Sequence, residues 1–440
     1  MVSNYSSGFL PSRCCESFPI ELFYLSNFFR NDVYNDPKKF KRYIKEYKFS
    51  PINVNIIKKL LSRKTSTLDI SKLRYIYTGT SFLVHRFMWC GESEYIIPAC
   101  IGVPWYYSSK ILGLPPVLTY SSVVLWNWRL KEVKEPFSLD NLECIHFLTT
   151  TSEERRSEEW FYLISTAIEG CCAEIVNLVA ENLEFLYSMI SNKNPESELI
   201  ANDIALDCLF KISNLLDKQN NIMCRMSERC DPEIFFNTHR KYLWGSRKLE
   251  NGIQIAGCDD IPTLKFAGAS AAQSSLIQLE DIFLGISHNK NHFLMEQRKY
   301  MPKNHRIFLE NIEKTNNIHY YIKKGIISSP QAIKLYNDCV NKLVDFRNIH
   351  HKIVQSYIVN QSNTKSQSTG TGGTPLDTFL KSIINKTKDS IIKNENDYRY
   401  RHRKLIFNKK IIIFIIFLVI IVLCLVINLI NYKVIKNYKN

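Results

Sequence analysis

The chain has 440 residues, 45% of them apolar, which is enough for a large hydrophobic core in one sizeable domain or two. Its net charge of +15 invites comparison with nucleic-acid-binding proteins, but residues 381–440 hold thirteen Lys or Arg against three Asp or Glu and so carry +10 of that charge. Because no zinc-finger, RNP-like or helix-turn-helix signature accompanies the charge, we expect no nucleic-acid partner.

The amino-terminal stretch and the cysteines both indicate a reducing compartment. MVSNYSSGFLPSRCCESFPIELF has no basic region followed by a clean apolar run, so it does not resemble a secretory signal. The thirteen cysteines include two adjacent pairs, at 14 and 15 and at 171 and 172, and show no CxxC spacing. This usage favours reduced thiols over disulfides or metal ligands. We expect the bulk of the chain to lie in the cytosol.

Residues 1–150 are predicted to form a small amino-terminal domain of mixed or helical character. Short apolar runs alternate there with Pro and Gly, as in YIIPACIGVPWYY and LGLPPVLTYSSVVLWNW. Such punctuation is typical of a few irregular or extended pieces between short helices.

Residues 151–400 show helical periodicity and are predicted to form a large helical domain. WFYLISTAIEGCCAEIVNLVAENLEFLYSMI reads as one long helix, with Ser165 on the same stripe as Phe161. A second helix is predicted over LIANDIALDCLFKISNLL, and in DPEIFFNTHRKYL Asp231 can cap a helix whose first turn holds Pro232. Since no β–α–β alternation is present, the expected fold class is mainly α.

A histidine pair lies near the middle of a predicted helix over residues 331–359. One face of this helix is formed by residues at spacings of three and four: Tyr336, Val340, Leu343, Arg347, His350, Val354 and Tyr357. His350 therefore points toward the interior, whereas His351 is rotated about 100° away, toward Asn348 and Gln355. A buried imidazole on such a helix can hold a haem iron from its proximal side. The alternative is a core histidine bonded to a backbone carbonyl.

Residues 411–430, IIIFIIFLVIIVLCLVINLI, contain no charge over twenty positions, the length that spans a bilayer core. Lysines and arginines flank both ends, in RYRHRKLIFNKK and NYKVIKNYKN, where they can reach lipid headgroups. A buried core helix is the alternative, although so apolar a helix would need cover on all sides. We expect a single-pass tail anchor, with the main domain on the cytosolic face of an intracellular membrane, either the endoplasmic reticulum or the mitochondrial outer membrane.

Several motifs occur in the order found in one enzyme family. They are KFAGASAAQSS (265–275), FLMEQRKYMPKNHR (293–306), FRNIHHKIV (346–354) and GTGGT (370–374), with further matches in LPPVLTY, VVLWNW and FFNTHRKYL. In these motifs the chain resembles the indoleamine 2,3-dioxygenases, over roughly residues 75–395. The first fifty residues match only loosely, and a carboxy-terminal anchor departs from the family's usual plan.

The resemblance implies a haem b cofactor and three residues that hold it. His350 falls on the proximal iron ligand, Arg347 on the arginine that pairs with a haem propionate, and Asp281 on the acid of that network. The residues agree with this, because Asp281 shares a helix stripe with Ile277 and an unpaired carboxylate there would be costly. Taken alone, an acid such as Asp281 is more often an ordinary satisfied one.

On the substrate side, the resemblance places Phe235 and Arg240 against the substrate. A planar guanidinium can grip the carboxylate of an amino acid with two hydrogen bonds, and a phenylalanine can pack on an indole face. For Phe236, four residues before Arg240, core packing is the simpler interpretation. The GTGG segment closes over substrate in the family, although by composition it could be a flexible linker. The remaining implied pocket residues are Ser165, Tyr120, Phe161, Ser270, Ala271 and Thr371.

The implied reaction inserts both atoms of O2 across the indole C2–C3 bond of L-tryptophan, giving N-formylkynurenine, the first step of the kynurenine pathway. The cofactor supplies the oxygen chemistry and an electron donor keeps its iron reduced, so no acid–base residue is expected. Two alternatives remain open: a haem-binding sensor or scaffold with little activity, and a dioxygenase for another indole.

One motif departs from the family pattern. The usual GGSAGQS appears here as GASAAQS, with Ala269 and Ala272 in place of two glycines. Their methyl groups restrict the backbone beside Ser270 and Ala271, and this affects expected catalytic efficiency more than haem binding. Ala272 is expected to lie inside the helix that carries residues 273–286.

Overall fold

A computed structural model describes residues 7–62, 68–190, 195–288, 292–362 and 369–393. The described residues are mainly α-helical, which confirms the predicted fold class. The α-helices in chain order are α1 (Asn31–Tyr34), α2 (Pro37–Glu46), α3 (Pro51–Leu60), α4 (Ile70–Trp89), α5 (Ala99–Leu112), α6 (Ser152–Cys171), α7 (Glu174–Ile190), α8 (Pro195–Cys224), α9 (Pro232–Ile234), α10 (Ser275–Leu284), α11 (His292–Gln297), α12 (Lys303–Glu313), α13 (Ile318–Lys323), α14 (Pro330–Val354) and α15 (Leu376–Lys388).

The described residues contain four short strands. Three lie before residue 150, where extended pieces were expected, and the fourth is a later pairing partner of the first. The strand β1 (Ile96–Ile97) pairs in parallel with β4 (Gln254–Ile255), while β2 (Trp128–Leu130) pairs antiparallel with β3 (Leu142–Cys144). In the second pair Arg129 lies opposite Glu143, and their side chains form an ion pair of 2.7 Å. These strands are too short to organise the fold, so helix packing does so.

The long helix predicted over residues 160–190 is two helices in the structure. Helix α6 ends at Cys171 and α7 begins at Glu174. The break follows Gly170, where a Cβ would lie 2.2 Å from ring carbons of Phe137, so only glycine fits the contact. Glycine lowers helix stability by about 1 kcal/mol relative to alanine, which makes this position a natural end.

Helix α14 packs against α8, α15 and α10 and carries the predicted buried stripe. Tyr336, Val340 and Leu343 are fully buried, and Arg347 is 5% exposed. After Val354 the helix continues as a π-helical turn, Gln355–Val359, which places Tyr357 in the core as expected. The 331–359 prediction is therefore confirmed.

The predicted membrane span and the predicted domain boundary are not tested by the described residues. The predicted transmembrane span, 411–430, lies outside the described residues. Among the residues that are described, one helical stretch, Ser152–Ser188, is long and apolar enough to cross a bilayer, but most of it is buried in the fold, as a core helix would be. The domain boundary near residue 150 stays a prediction, and side chains from both sides of it share one hydrophobic core.

Candidate functional site

The two adjacent histidines of α14 have different surroundings. His351 Nε2 lies 2.8 Å from Oδ1 of Asp377 on α15 and 3.2 Å from Nε2 of Gln355. His350 makes no such contact with any described residue. The core-histidine alternative, in which a backbone carbonyl holds the imidazole, is therefore not what the described residues show for His350.

His350 is enclosed by protein and still has accessible surface. Burial, with a smaller contribution from His351, lowers the pKa of its imidazole to about 4, so the ring is neutral at physiological pH. The residue is nevertheless only half-buried, unlike Leu343 and Arg347 on the same face. A neutral imidazole facing accessible space is the state that an iron ligand requires.

One turn before His350, Arg347 joins two other helices. Its Nη2 donates to Oδ1 of Asp281 on α10, and its Nη1 donates to the hydroxyl of Thr387 on α15. Asp281 also lies 2.8 Å from Nε2 of His288. Burial alone would raise the pKa of Asp281, but Arg347 and His288 together hold it below its usual range. The predicted contact between Asp281 and Arg347 is present.

This donor set fits a haem. His350 offers a neutral nitrogen, and Arg347 offers a charged guanidinium on the same helix, three residues earlier. Asp281 and Thr387 fix the guanidinium in place through their hydrogen bonds.

Helix α6 presents Phe161 and Ser165 on one face. Between residues 160 and 169 these are the two partly exposed positions, one turn apart, and their neighbours are buried. Residues four apart lie on the same face of a helix. Phe161 and Ser165 thus share one stripe of α6, as the helical spacing predicted, while their place in a substrate pocket stays a prediction.

Phe235 connects that face to the helix of His350. Its ring centroid lies 4.6 Å from that of Phe161 and 5.9 Å from that of Tyr357, which follows His350 by two turns. Phe235 is 4% exposed, whereas Phe236 is only partly buried, its ring 5.4 Å from the Arg240 guanidinium. Core packing is therefore a better description of Phe235 than of Phe236.

Arg240 is placed by an irregular helical segment. Asp231 caps α9 and Pro232 fills its first turn, as predicted, but the helix gives way to a π-helical turn, Phe235–His239, and a 3₁₀ turn from Arg240. The Arg240 side chain is 3% exposed, and burial lowers its pKa to about 10, so it stays charged at neutral pH. Its Nη2 donates to the carbonyl of Thr369, just before the GTGG segment.

The GASAAQS and GTGG segments contact each other. The hydroxyl of Thr371 donates to the carbonyl of Ala269, and the amide of Gly268 donates to the carbonyl of Thr371 at 3.3 Å. Ser270 is partly exposed and accepts a 3.3 Å hydrogen bond from the amide of Ala272, while Ala271 is exposed. The sequence predictions for Ser270, Ala271 and Thr371 thus fall on neighbouring segments.

The first glycine of that motif is required by a backbone crossing. A Cβ on Gly268 would lie 1.9 Å from the carbonyl oxygen of Leu243, and a Cβ on Gly245 would lie 2.2 Å from that of Phe266. Both residues must be glycine for the chain to pass so closely. The motif has therefore kept its glycine at the crossing and has alanine at the next position, Ala269.

Tyr120 reaches the same region through residues that the sequence analysis did not single out. Its hydroxyl donates to Oε1 of Glu169 at 3.0 Å, and its amide donates to Oε1 of Gln273 at 2.9 Å. The same Glu169 oxygen accepts a 2.7 Å hydrogen bond from Ser274, the N-cap of α10. Glu169 lies one helical turn after Ser165. This spacing places both residues on one face of α6, and it could have identified Glu169 from the sequence.

Two buried carboxyls have raised pKa values. Burial raises the pKa of Glu169 to about 7 and that of Glu280 to about 8, against partial compensation from hydrogen bonds. One oxygen of each, Oε2 of Glu169 and Oε1 of Glu280, is buried without a hydrogen-bond partner. A protonated carboxyl tolerates such a position better than a carboxylate does.

The thiol prediction agrees with the described cysteines. All twelve of them are free, and no group of three or more His, Cys, Asp or Glu in the described ranges could hold a metal ion.

Ala272 lies outside the helix that was predicted to contain it. Helix α10 begins at Ser275, and residues Ala271–Gln273 form a separate 3₁₀ turn capped by Ser270. Ser270 and Ser274 each cap a following turn, and two successive caps divide what the sequence suggested was one helix.

Comparison with known proteins agrees with this geometry. A family model described as indoleamine 2,3-dioxygenase matches residues 54–390. The chain is 30% identical to indoleamine 2,3-dioxygenase of Saccharomyces cerevisiae, over 74% of this chain and 80% of that protein. It is 30% identical to indoleamine 2,3-dioxygenase 1 of Rattus norvegicus, over 76% and 84%, and 34% identical to 6-hydroxytryptophan 2,3-dioxygenase of Fusarium equiseti, over 72% and 80%.

Proposed function

The chain belongs to the indoleamine 2,3-dioxygenase family, and on that premise we propose that it is a haem b enzyme that inserts O2 across the indole C2–C3 bond of L-tryptophan to give N-formylkynurenine. Membership itself makes it an oxidoreductase that acts on an indole. The choice of tryptophan, the haem in this chain and the need for an electron donor belong to the proposal.

The observation that carries the proposal is the pairing of His350 and Arg347 on one helix face. His350 supplies the nitrogen for the iron, while Arg347, braced by Asp281, supplies a positive charge for a propionate. When bound, the haem supplies the oxygen chemistry that no side chain can provide. His351 serves a different purpose, because Asp377 holds it against α15.

Arg240 is the proposed carboxylate anchor of the substrate. It is buried and charged, and its guanidinium lies 5.4 Å from the ring of Phe236. The ring of the preceding residue, Phe235, packs on that of Phe161. An α-amino acid can therefore place its carboxylate on the guanidinium and its indole against these aromatic residues. The carbonyl of Thr369 occupies one donor of Arg240. A substrate carboxylate would bind beside that carbonyl or replace it.

No side chain is assigned as a general acid or base. Phe161, Phe235 and Ser165 have no group that ionises near neutral pH, and Arg240 remains protonated. The nearby His239 is directed to the hydroxyl of Tyr162 at 2.8 Å, and burial lowers its pKa to about 3. These residues instead orient the substrate and exclude water.

A second candidate function is the dioxygenation of another indole. The relative with 34% identity is named for 6-hydroxytryptophan, which favours this alternative. A sensor or scaffold without activity would have no need of a buried Arg240 against the ring of Phe236, nor of Phe235 against Phe161, and the presence of these residues argues against it.

The test is a substrate comparison on the haem-loaded, reduced protein. We expect turnover of L-tryptophan to N-formylkynurenine and much weaker turnover of tryptamine, which lacks the carboxylate. Arg240→Ala should reduce kcat/KM for L-tryptophan at least tenfold while haem content stays within a factor of two. Higher turnover of 6-hydroxytryptophan than of tryptophan would favour the second candidate, and equal rates for tryptophan and tryptamine would rule out the role of Arg240.

We also propose that residues 411–430 attach the enzyme to an intracellular membrane, with the catalytic part on the cytosolic side. Twelve free cysteines among the described residues suit the reducing cytosol. A chain that lacks residues 405–440 should become soluble in cell fractionation and keep its haem content. Protection of the catalytic part from protease added to intact organelles would contradict the topology.

A further inference from the structure

A small recess, open to solvent, lies between the amino-terminal segment and the first turns of α4. It shares no residue with the haem and substrate site proposed above. Its walls contain two arginines and no carboxylate. The lining residues are Pro11, Arg13, Cys14, Cys15, Ser71, Arg74, Tyr75 and Trp126.

Arg74 is the central residue of this recess. Its guanidinium carbon lies 5.4 Å from the centroid of the Trp126 ring, and its Nε is buried with no hydrogen-bond partner. Among the described residues it forms no ion pair. The Nε group has therefore lost water without gaining an acceptor, and contact with an aromatic face offsets only part of that cost.

The acids that lie closest in sequence are engaged elsewhere. Oε2 of Glu16 is 2.7 Å from Nη1 of Arg129, and Asp69 caps α4 by accepting from the amide of Lys72 at 2.8 Å. The thiol of Cys14 does not supply a charge either, because burial raises its pKa to about 12. No anion from the described lining residues balances Arg74.

We propose that this recess binds a small oxyanion, with Arg74 as the main contact and Arg13 at the mouth. A guanidinium forms paired hydrogen bonds with phosphate or carboxylate oxygens, and the hydroxyls of Ser71 and Tyr75 are further donors in the lining. Phosphate and carboxylate share the required chemistry, and the experiment distinguishes them.

The test titrates the full chain with inorganic phosphate and, separately, with acetate, at an ionic strength kept constant with sodium chloride. Binding should raise the melting temperature in a saturable way for at least one of the two ions. Saturation by phosphate alone, by acetate alone or by both supports the site and identifies the preferred oxyanion. No saturable shift with either ion overturns the proposal.

Arg74→Gln keeps much of the side-chain length and removes the charge. We expect at least a tenfold loss of affinity in this variant, and a smaller loss in Arg13→Gln. Arg247→Gln is the matched control, because Arg247 is exposed and distant in sequence from the recess. If Arg74→Gln binds the ion as tightly as the control does, the assignment is wrong.

A second measurement covers the case in which Arg74→Gln unfolds. Cys15 lines the recess and is partly exposed, while Cys224 is exposed elsewhere. In the unmodified chain the bound ion should slow alkylation of Cys15 by iodoacetamide several-fold and leave Cys224 unaffected. Equal rates at Cys15 with and without the ion would count against the site.

Discussion

Arg347 and Asp281 form an ion pair between α14 and α10, and they are only 5% and 7% exposed. In the proposed enzyme the Arg347 guanidinium links the two helices and also offers a positive charge to a haem propionate. Asp281 fixes its orientation for both roles. A buried pair of this kind is costly to break from one side only, because the remaining charge is left without its partner.

Asp281→Asn should therefore destabilise the protein by about 3–5 kcal/mol at pH 7 and lower its haem content. Since Asp281 has a lowered pKa when folded, its contribution is present above its unfolded pKa, near 3.8, and is lost as the pH falls through the folded pKa. The free energy of unfolding, measured with a denaturant, should differ less between the variant and the unmodified chain as the pH falls. Asp281→Asn with Arg347→Gln, which removes both charges, should recover part of the loss.

Replacement of the adjacent histidines should have opposite effects on haem binding. His350→Ala should lower haem content at least tenfold, because no described side chain can replace the lost nitrogen. His351→Ala should keep the haem and lose only the contact with Asp377, which is partly exposed and worth about 1 kcal/mol or less. Haem content and absorption spectra of the two variants check this. Loss of haem in His351→Ala alone would contradict the assignment.

Much of this site could be predicted because helical spacing and short motifs are local. The stripe through Tyr336, Leu343 and Arg347 follows from a period of 3.6, and the structure buries all three. Asp231 and Pro232 likewise start their helix as expected, since a cap needs only neighbouring residues.

What could not be predicted depends on contacts between distant segments. Gly170, in the last turn of α6, packs against the ring of Phe137, and no pattern around Gly170 shows that ring. Glu169 joins Tyr120 to Ser274 across more than one hundred residues in sequence, and the Arg347–Thr387 contact needs α15 in place. A single sequence shows which faces are buried but not which side chains meet there.

Glu169 should make stability depend on pH in the opposite sense to Asp281. Its folded pKa, about 7, lies above its ordinary value of 4.5, so its contribution is fully present below pH 4.5 and is lost as the pH rises through 7. Glu169→Gln keeps an oxygen that accepts from Tyr120 and Ser274 but cannot ionise. We expect the variant to be more stable than the unmodified chain at pH 8 by about 1–3 kcal/mol.

The measurement is the free energy of unfolding between pH 5 and 8 for both proteins. The unmodified chain should lose stability across this range faster than Glu169→Gln does. The free energy of unfolding of Glu169→Gln should still fall somewhat with rising pH, because Glu280 also has a raised pKa. A second variant, Glu280→Gln, should reduce that remaining dependence. Parallel curves for Glu169→Gln and the unmodified chain would show that Glu169 does not titrate here.

The two alanines of GASAAQS should have separable effects. Ala269 is buried, and its carbonyl accepts from Thr371 of the GTGG segment, whereas Ala272 lies in the 3₁₀ turn before α10. The methyl of Ala269 stiffens the segment against which GTGG rests. Ala269→Gly should therefore lower the KM for L-tryptophan and leave haem content unchanged. Relief of a methyl-sized clash or a strained angle is worth about 1–3 kcal/mol, so the change could reach tenfold or more.

Ala272→Gly should act on stability instead. Glycine is less favourable than alanine in a helical turn by up to about 1 kcal/mol, so this variant should melt a few degrees lower with an unaltered KM. The two single variants and the double variant are compared by melting temperature, haem content and steady-state kinetics. If the double variant only melts lower and keeps its KM, both alanines are structural. Any weak activity would then have to be explained elsewhere, beginning with the contacts of the substrate with Arg240 and Phe235.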